Sequence, residues 1–267
     1  MLSLQELTAV RDVAEAAARA AGTILRSRLG RDLRVSYKGA VDLVTDADRA
    51  AEETIVKFVR EAFPEHDILA EEQDYGRRDS AWRWIIDPLD GTTNFAHGFP
   101  WFAVSIALEE QGEIVCGVVY HPCTDEMFSA VRGQGAMLNQ RPLRVSAVDK
   151  LEQALLATGF PYDRKSSDIN NYDHFIHFQQ AAQACRRPGV ASLDLASVAA
   201  GRFDGYWEMK LKPWDVAAGL LLVLEAGGQV TDFDGSKVDI YAPRILASNG
   251  LLHSGMQQIL RQGRSPL

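Results

Sequence analysis

The chain has 267 residues, 46% hydrophobic and 24% charged, which is ordinary globular usage and excludes a disordered or fibrous protein. At roughly 150 residues per domain, this length suggests one large domain or two modest ones. The formal net charge of −8 argues against a chain-wide affinity for nucleic-acid phosphates or an anionic membrane.

The cysteine content argues against two further classes of protein. Cys116, Cys123 and Cys185 are too few and too scattered for a disulfide framework or a zinc site. The sequence also shows no signal-peptide pattern and no apolar run of membrane-spanning length. We therefore expect a soluble, cytoplasmic protein.

Hydrophobic periodicity in the first part of the chain predicts two helices followed by strands. Apolar residues three and four apart predict an amphipathic helix over 4–25, and a second helix is predicted over 45–63. Strand-like runs follow at 67–70, 82–86, 102–108, 114–120 and 127–131. The glycine-rich stretch 133–135 is interpreted as a turn between strands, because no helix follows it.

Past Pro142 the predicted elements alternate between strands and helices. Strands are predicted at 155–159, 205–209 and 244–248. Helices are predicted at 169–184, 192–200, 214–226 and 251–260. This order favours a layered α/β architecture. We expect an N-terminal half over 1–145 and a C-terminal half over 146–267.

Carboxylates recur where the predicted strands end. Glu71 and Glu72 follow one apolar run, Asp87 follows the next, and Asp90 comes three residues later. Two unit charges about 4 Å apart repel by roughly 4 kcal/mol at an effective dielectric near 20, so such a cluster favours bound cations. Ligands that are all oxygen favour Mg²⁺ over Zn²⁺.

A glycine and two hydroxyl residues follow Asp90 directly, in the run Gly91, Thr92, Thr93 and Asn94. Such a run can open a helix whose first N–H groups face an anion. A cation site beside an anion site indicates phosphate ester chemistry. Thr92 is then the candidate for orienting an attacking water.

Two signatures in the sequence resemble those of a known family. The run DPLDGTTNF at 87–95 resembles the inositol monophosphatase family of Mg²⁺-dependent, often lithium-sensitive phosphatases. The run WDVAAG at 214–219, with EAGG at 225–228, is similar to the family's second signature. Three shorter segments are also similar, at 41–48, 70–72 and 186–189. The resemblance spans nearly the whole chain, in order.

The resemblance implies an α-β-α-β-α sandwich of the sugar-phosphatase type, with the site between the two halves. It implies two or three Mg²⁺ ions, whose ligands are Glu71, Asp87, the carbonyl of Leu89, Asp90 and Asp215. It also implies that Thr92 and Asp48 polarise the nucleophilic water. The loop between Lys38 and Asp42 is one residue shorter than in animal members, which leaves the role of Lys38 open.

The resemblance further implies which residues contact the substrate. The substrate contacts would be Glu71, Asp90, Gly91, Thr92, Arg186, Gly189, Val190, Ala191, Glu208 and Asp215. Among these, Arg186 and Glu208 would face the part of the substrate away from the phosphate. The implied assembly is a homodimer, and no membrane or nucleic-acid partner is expected.

Several of these residues also have a purely structural interpretation. Thr45 and Asp48 have the spacing of a helix capping box. Asp215 resembles an N-terminal helix carboxylate stabilised by the helix dipole. Arg186 could belong to a salt-bridging pair at a subunit contact, and Glu208 to the edge of a strand.

Two other functions compete with that of a phosphatase with a water nucleophile. A phosphatase with an aspartyl nucleophile needs two Asp separated by one residue, whereas Asp87 and Asp90 are separated by two. A non-catalytic regulatory protein on the same fold would have lost ligands, yet every proposed metal position carries its expected residue. The favoured substrate is inositol 1-phosphate. Fructose 1,6-bisphosphate, adenosine 3′,5′-bisphosphate and histidinol phosphate remain alternatives within the family.

Overall fold

The computed structural model describes residues 2–31, 35–37 and 43–262. The predictions for Lys38 and for the loop to Asp42 lie outside these residues. The capping role predicted for Thr45 also lies outside, because its side chain is not among those described.

Seven helices form within the described residues. They are α1 Leu4–Arg28, α2 Asp46–Ala62, α3 Thr92–Ala96, α4 Tyr172–Ala181, α5 Ala191–Ala199, α6 Pro213–Glu225 and α7 His253–Leu260. A single 3₁₀ turn, Leu151–Gln153, precedes the second half of the chain. No helix in the described ranges is long and apolar enough to cross a membrane.

The strands form three sheets. A two-stranded sheet pairs β1 Val35–Tyr37 with β2 Leu43–Thr45. The large sheet contains β3 Asp67–Ala70, β4 Trp82–Asp90, β5 Ala103–Glu110, β6 Glu113–His121, β7 Glu126–Val131, β8 Ala136–Leu138 and β9 Arg141–Pro142, in that spatial order. The small sheet contains β10 Leu155–Thr158, β11 Ala184–Arg186, β12 Gly205–Met209, β13 Gln229–Thr231 and β14 Arg244–Ser248. Its spatial order is β11-β10-β12-β14-β13.

Helices and sheets alternate in five layers. Helices α1 and α2 cover one face of the large sheet, and α5 and α6 lie between the two sheets. Helices α4 and α7 cover the outer face of the small sheet. Three buried apolar clusters fill the spaces between the layers. The α-β-α-β-α sandwich implied by the resemblance is therefore confirmed.

Helix α6 joins the two sheets through unusually close packing. A side-chain carbon at Gly117 on β6 would lie 2.8 Å from the carbonyl oxygen of Ala218 in α6. A side-chain carbon at Gly219 would lie 2.5 Å from Cβ of Leu195 in α5. Glycine at both positions lets backbones approach where any larger residue would collide.

The division of the chain into two halves at 145/146 stays a prediction.

The predicted and observed elements differ mainly where strands are short. The helix predicted over 169–184 is confined to Tyr172–Ala181, and residue 184 begins strand β11 instead. Strand β11 has three residues and pairs in parallel with β10. Strands of two or three residues show too little alternation to be recognised, so the sequence pattern does not predict β1, β2, β8, β9, β11 and β13.

Candidate active site

A cavity of about 260 Å³ opens where the large sheet ends against the layer of α5 and α6. The residues predicted for the site that line it are Glu71, Asp87, Leu89, Asp90, Gly91, Thr92, Gly189, Ala191, Glu208 and Asp215. They come from both parts of the chain, because the cavity lies between the elements that carry the two signatures. The structure thus places these ten residues in one cavity, and their roles stay a prediction.

Two adjacent parallel strands deliver three of the carboxylates. Strands β3 and β4 are parallel, so the carboxyl ends of both meet at the same edge of the sheet. Glu71 directly follows β3, and its N–H donates to the carbonyl of Ile86 at 3.2 Å. The pairing of β4 with β5 shifts register between Asp87 and Asp90. Residues three apart on a regular strand face opposite sides, so this irregularity allows both carboxylates to line one cavity.

Asp90 is held by the first turn of α5. Its Oδ2 accepts two hydrogen bonds from Ser192, from the N–H at 2.8 Å and from the hydroxyl at 2.6 Å. Ser192 is fully buried, and 102 residues separate it from Asp90 along the chain. The N-terminus of a helix also favours negative charge. One carboxylate thus connects the large sheet to the layer between the sheets.

The other carboxylates are held by backbone donors. Asp87 is buried, and its Oδ1 accepts the N–H of Leu89 at 2.9 Å. Asp215 lies in the first turn of α6, and its Oδ2 accepts the N–H of Lys212 at 2.7 Å. Each side chain therefore has a defined orientation before any ligand binds.

Burial and mutual repulsion raise the pKa values of these carboxyl groups. The pKa of Asp87 lies well above its usual range, first because the group is buried and then because of Glu71, Asp90 and Asp215. Burial also raises the pKa of Asp215 well above its usual range, with Asp90 as the next cause. Burial raises the pKa of Asp90 to about 6, although the hydrogen bonds from Ser192 oppose the rise. The carboxylates are therefore close enough to destabilise one another's charged forms.

The donor set fits a hard divalent cation by its chemistry. All of the ligands predicted from the sequence offer oxygen, from four carboxylates and the Leu89 carbonyl, and all line the cavity. Within the described ranges, no three or more His, Cys, Asp or Glu side chains stand in the geometry of a metal site, so the fit rests on the chemistry of the donors and not on a coordination geometry. Hydrogen bonds from Leu89, Ser192 and Lys212 hold three of the four carboxylates in place at the cavity. Their repulsion is the physical reason for a cation to bind there.

Thr92 and Asp48 form a pair at the edge of the cavity. Thr92 begins α3, and its hydroxyl lies 3.3 Å from Oδ1 of Asp48 and 3.0 Å from the carbonyl oxygen of Leu89. Asp48 is fully buried on α2 and contacts Thr92, which lines the cavity. Both neighbours of the hydroxyl are acceptors, so its single proton is donated to one or the other, and its lone pairs stay available to an incoming donor such as water.

Gly91 shapes the turn that presents Thr92. Its φ is +95°, a conformation that side chains rarely adopt. A side-chain carbon there would also lie 2.8 Å from Cγ2 of Val190. Val190 is completely buried beneath this turn and does not line the cavity. Its side chain therefore does not face the space where the predicted substrate contact would be made.

The structure brings Arg187, and not Arg186, to the cavity. Arg186 is exposed at the end of β11, where its guanidinium donates to the carbonyl of Cys185 at 3.2 Å. Neighbouring residues of an extended segment point to opposite sides, which explains why only one arginine of the pair faces inward. The sequence offered no signal for choosing between them.

Glu208 lies at the opposite side of the cavity on β12. It is 8% exposed, and its Oε2 accepts the hydroxyl of Tyr206 at 2.5 Å. A side-chain carbon at Gly159 would lie 2.1 Å from the carboxylate, so Gly159 makes room for it. Burial raises the pKa of Glu208 to about 7, against the lowering effects of Tyr206 and Arg187.

Sequence reasoning missed several lining residues that carry no motif. Aromatic, cationic and amide side chains complete the wall, namely Asn94, Phe160, Tyr162, Arg187, Lys210, Lys212 and Trp214. Asn94 also connects two segments of the wall, since its amide donates to the carbonyls of Trp101 at 2.9 Å and Pro188 at 3.0 Å. Arg187 and Lys212 bring positive charge to the wall, which suits an anionic ligand, whereas the Lys210 ammonium is paired with Asp163 at 2.7 Å.

The comparisons with known proteins agree with this geometry. A model of the inositol monophosphatase family matches residues 6–265. An inositol-1-monophosphatase of Synechocystis is 47% identical over 93% of this chain and 88% of its own length. The Nus factor SuhB of Pseudomonas aeruginosa is 48% identical over 89% of this chain and 90% of its own. A solved inositol monophosphatase from Anabaena superposes with a TM-score of 0.90 at 45% identity, covering 98% of both chains.

Fold, site and similarity together define the class of the protein, which is a metal-dependent phosphatase acting on small phosphate esters. The chain belongs to the inositol monophosphatase family.

The raised pKa of Glu208 predicts a pH dependence of stability. The group ionises near 4.5 in the unfolded chain and near 7 in the folded one, so its contribution to stability is present below about 4.5 and is lost as pH rises through about 7. In metal-free protein, Glu208→Gln should flatten the fall in the free energy of unfolding over this range. Urea denaturation at a series of pH values measures it.

The matched control is Glu65→Gln, which removes the same charge from an exposed position. Its stability should follow the parent curve at every pH. A Glu208→Gln curve parallel to the parent curve would show that Glu208 titrates normally in the folded protein.

Proposed function

We propose that the protein is a Mg²⁺-dependent phosphomonoesterase that hydrolyses inositol 1-phosphate to inositol and phosphate by direct attack of water. The observation that carries the proposal is the pairing of Thr92 with buried Asp48 beside a cavity lined by carboxylates. Glu71, Asp87, Asp90, Asp215 and the Leu89 carbonyl would hold the metal. Bound there, Mg²⁺ supplies Lewis-acid stabilisation of charge on the phosphate oxygens.

The chain's own residues orient the water. The Thr92 hydroxyl donates toward Asp48, so its oxygen accepts a hydrogen bond from a water at the cavity edge. Accepting that bond fixes the water and draws one of its protons toward the hydroxyl. Asp48 supports the polarisation from the buried side, because a carboxylate in low dielectric stabilises positive charge developing on its neighbour.

Direct attack by water is favoured over an aspartyl nucleophile. The oxygens Oδ2 of Asp90 and Oδ1 of Asp87 are already engaged as hydrogen-bond acceptors. Such bonds reduce the nucleophilicity of a carboxylate. Trapping of an acyl-phosphate on either Asp would support the competing mechanism.

The positive side of the cavity suits the phosphate ester. Backbone groups of Gly91, Thr92 and the turn 189–191 are proposed to hold the phosphate. The Arg187 guanidinium packs over Gly189, whose added side-chain carbon would lie 2.7 Å from Nη1. Lys212 lines the same cavity. Arg187 and Lys212 attract the dianion before its reacting geometry is set.

Glu208 supports a polyhydroxy substrate. Its buried carboxylate has one partner in Tyr206 and faces the cavity, where hydroxyl donors of a ring can complete its hydrogen bonds. A site built to accept hydroxyl protons discriminates against ligands without them, because the acceptor is otherwise left unpaired. Fructose 1,6-bisphosphate, adenosine 3′,5′-bisphosphate and histidinol phosphate are the alternative substrates within the family.

The similarity to a relative named a Nus factor supports a second candidate. That candidate is a regulatory protein on the same fold, with or without hydrolysis. Retention of all four carboxylates in the cavity favours catalysis.

A cytoplasmic homodimer that is inhibited by lithium is proposed from the resemblance. Sedimentation tests the assembly, and inhibition assays test the effect of lithium.

Binding of Mg²⁺ should raise the melting temperature, because the ion binds the folded state and relieves carboxylate repulsion. A concentration one hundred times the Kd would add about 2.7 kcal/mol to the free energy of unfolding. Asp90→Asn should abolish most activity and most of this shift while the protein stays folded. Asp79→Asn, at an exposed position, is the control for loss of one charge. Near-normal turnover by Asp90→Asn would contradict the assigned ligand set.

Thr92→Ala should lower kcat by about 10²-fold or more, the scale of a lost acid–base or orienting group. Thr93→Ala alters the exposed hydroxyl beside it and should cost far less. Steady-state hydrolysis of inositol 1-phosphate measures both. Equal losses would mean that the turn itself, and not the Thr92 hydroxyl, matters.

Glu208→Gln should lower kcat/KM for inositol 1-phosphate about tenfold, near 1.4 kcal/mol, because it removes the charge and half of the acceptor capacity. Hydrolysis of para-nitrophenyl phosphate, which has no ring hydroxyls, should change little. A phosphate-release screen of the four candidate substrates completes the test. An equal loss on both esters would place Glu208 in the hydrolytic machinery, and no loss on either would remove it from the site.

A further inference from the structure

Helix α2 carries a second buried carboxylate that the proposed mechanism does not use. Glu52 lies four residues after Asp48, hence on the same face of the helix and about 6 Å further along its axis. Both side chains are fully buried. Asp48 contacts Thr92, whereas Glu52 lies outside the cavity lining and extends toward the turn that follows β3.

Glu52 is bonded to the residues that come directly after Glu71. Its Oε2 accepts the backbone N–H of Glu72 at 2.8 Å, and its Oε1 accepts the hydroxyl of Tyr75 at 3.2 Å. The backbone N–H of Gln73 is a further donor to the same carboxylate. The turn that carries Glu71 is thus bound on one side by Glu52.

The opposite side of this turn is bound by the sheet. The N–H of Glu71 donates to the carbonyl of Ile86 on β4 at 3.2 Å. The two attachments flank the Cα of Glu71, because one uses its own N–H and the other uses the N–H of the next residue. Fixing both peptide groups fixes the direction in which the Glu71 side chain leaves the backbone.

We propose that Glu52 is a positioning residue that aims the Glu71 carboxylate into the cation site. The inference rests on the proposed function, since it assumes that Glu71 is a metal ligand. Buried carboxylates are costly unless hydrogen-bonded, and the donors that compensate Glu52 belong to this turn. Because Asp48 and Glu52 share one helix, α2 sets the spacing between the water-orienting Thr92 and the ligand Glu71.

Two variants of Glu52 separate the effect of its side-chain length from the effect of its charge. Glu52→Asp keeps the charge but shortens the side chain by one C–C bond, about 1.5 Å, so it cannot reach the Glu72 and Gln73 N–H groups. Glu52→Gln keeps the length, and its amide oxygen can still accept the Glu72 N–H while its NH₂ faces the Tyr75 hydroxyl. Glu53→Gln, on an exposed face of the same helix, is the control.

Two measurements read out the effect. The first is the Kd for Mg²⁺ alone, from calorimetry and from the Mg²⁺-induced shift in melting temperature. The second is amide hydrogen exchange at Glu72 and Gln73 in metal-free protein. A pH near 8.5 keeps Glu52 ionised in the parent protein, because burial raises its pKa to about 7. Circular dichroism verifies that each variant is folded.

The Glu52→Asp variant should weaken Mg²⁺ binding by about tenfold or more, the scale of lost support for a metal ligand, and should speed exchange at both amides. Glu52→Gln should change the Kd by less than about threefold, and Glu53→Gln should leave it unchanged. A larger loss in Glu52→Gln than in Glu52→Asp would show that the charge acts on the cation directly, which overturns the proposal. Unchanged exchange and Kd in Glu52→Asp would overturn it as well.

Failure of this inference can be told apart from failure of the proposed function. A parent protein that neither binds Mg²⁺ nor hydrolyses phosphate esters would refute the proposed function. The exchange at Glu72 and Gln73 would still decide whether Glu52 holds the turn. If Glu52→Asp does not fold, a tenfold loss of Mg²⁺ affinity in Glu52→Gln is the overturning result.

Discussion

The repulsion among carboxylates that share one cavity is the constraint on which the rest of the structure depends. Burial raises the pKa values of Asp87 and Asp215, and the neighbouring charge of Asp90 raises both further, so their convergence costs stability in the absence of a cation. Such an arrangement survives only where the surrounding packing fixes each side chain. The five-layer fold supplies that packing through cores on both sides of the large sheet and around α5 and α6.

Three of the carboxylates are fixed by hydrogen-bond donors. Ser192 of α5 holds Asp90, the Lys212 N–H at the start of α6 holds Asp215, and the Leu89 N–H holds Asp87. Helix N-termini favour negative charge, so the first two of these attachments also lower the electrostatic cost. The bond between Asp90 and Ser192 joins the large sheet to the helix layer between the sheets, at the place where the chemistry is proposed to occur.

The cavity has walls from both sheets. Thr92 lies on the side of the large sheet, with Asp48 behind it. Glu208 lies on the small sheet, supported by Tyr206 and given room by Gly159. The residues proposed for hydrolysis and for recognition of the substrate therefore lie on different sheets.

The sequence by itself determined the long helices, the regular strands and the identity of most site residues. Periodicity over many residues located α1 and α2, and the two signatures located Asp90, Thr92 and Asp215. These features are local, since they depend on residues close together in the chain. Tertiary structure decided the rest: which arginine of the 186–187 pair faces the cavity, that Ser192 binds a carboxylate 102 residues away, and that Glu52 binds the turn after β3. Side-chain direction and long-range hydrogen bonds depend on how the layers pack, and no spacing within one segment encodes that packing.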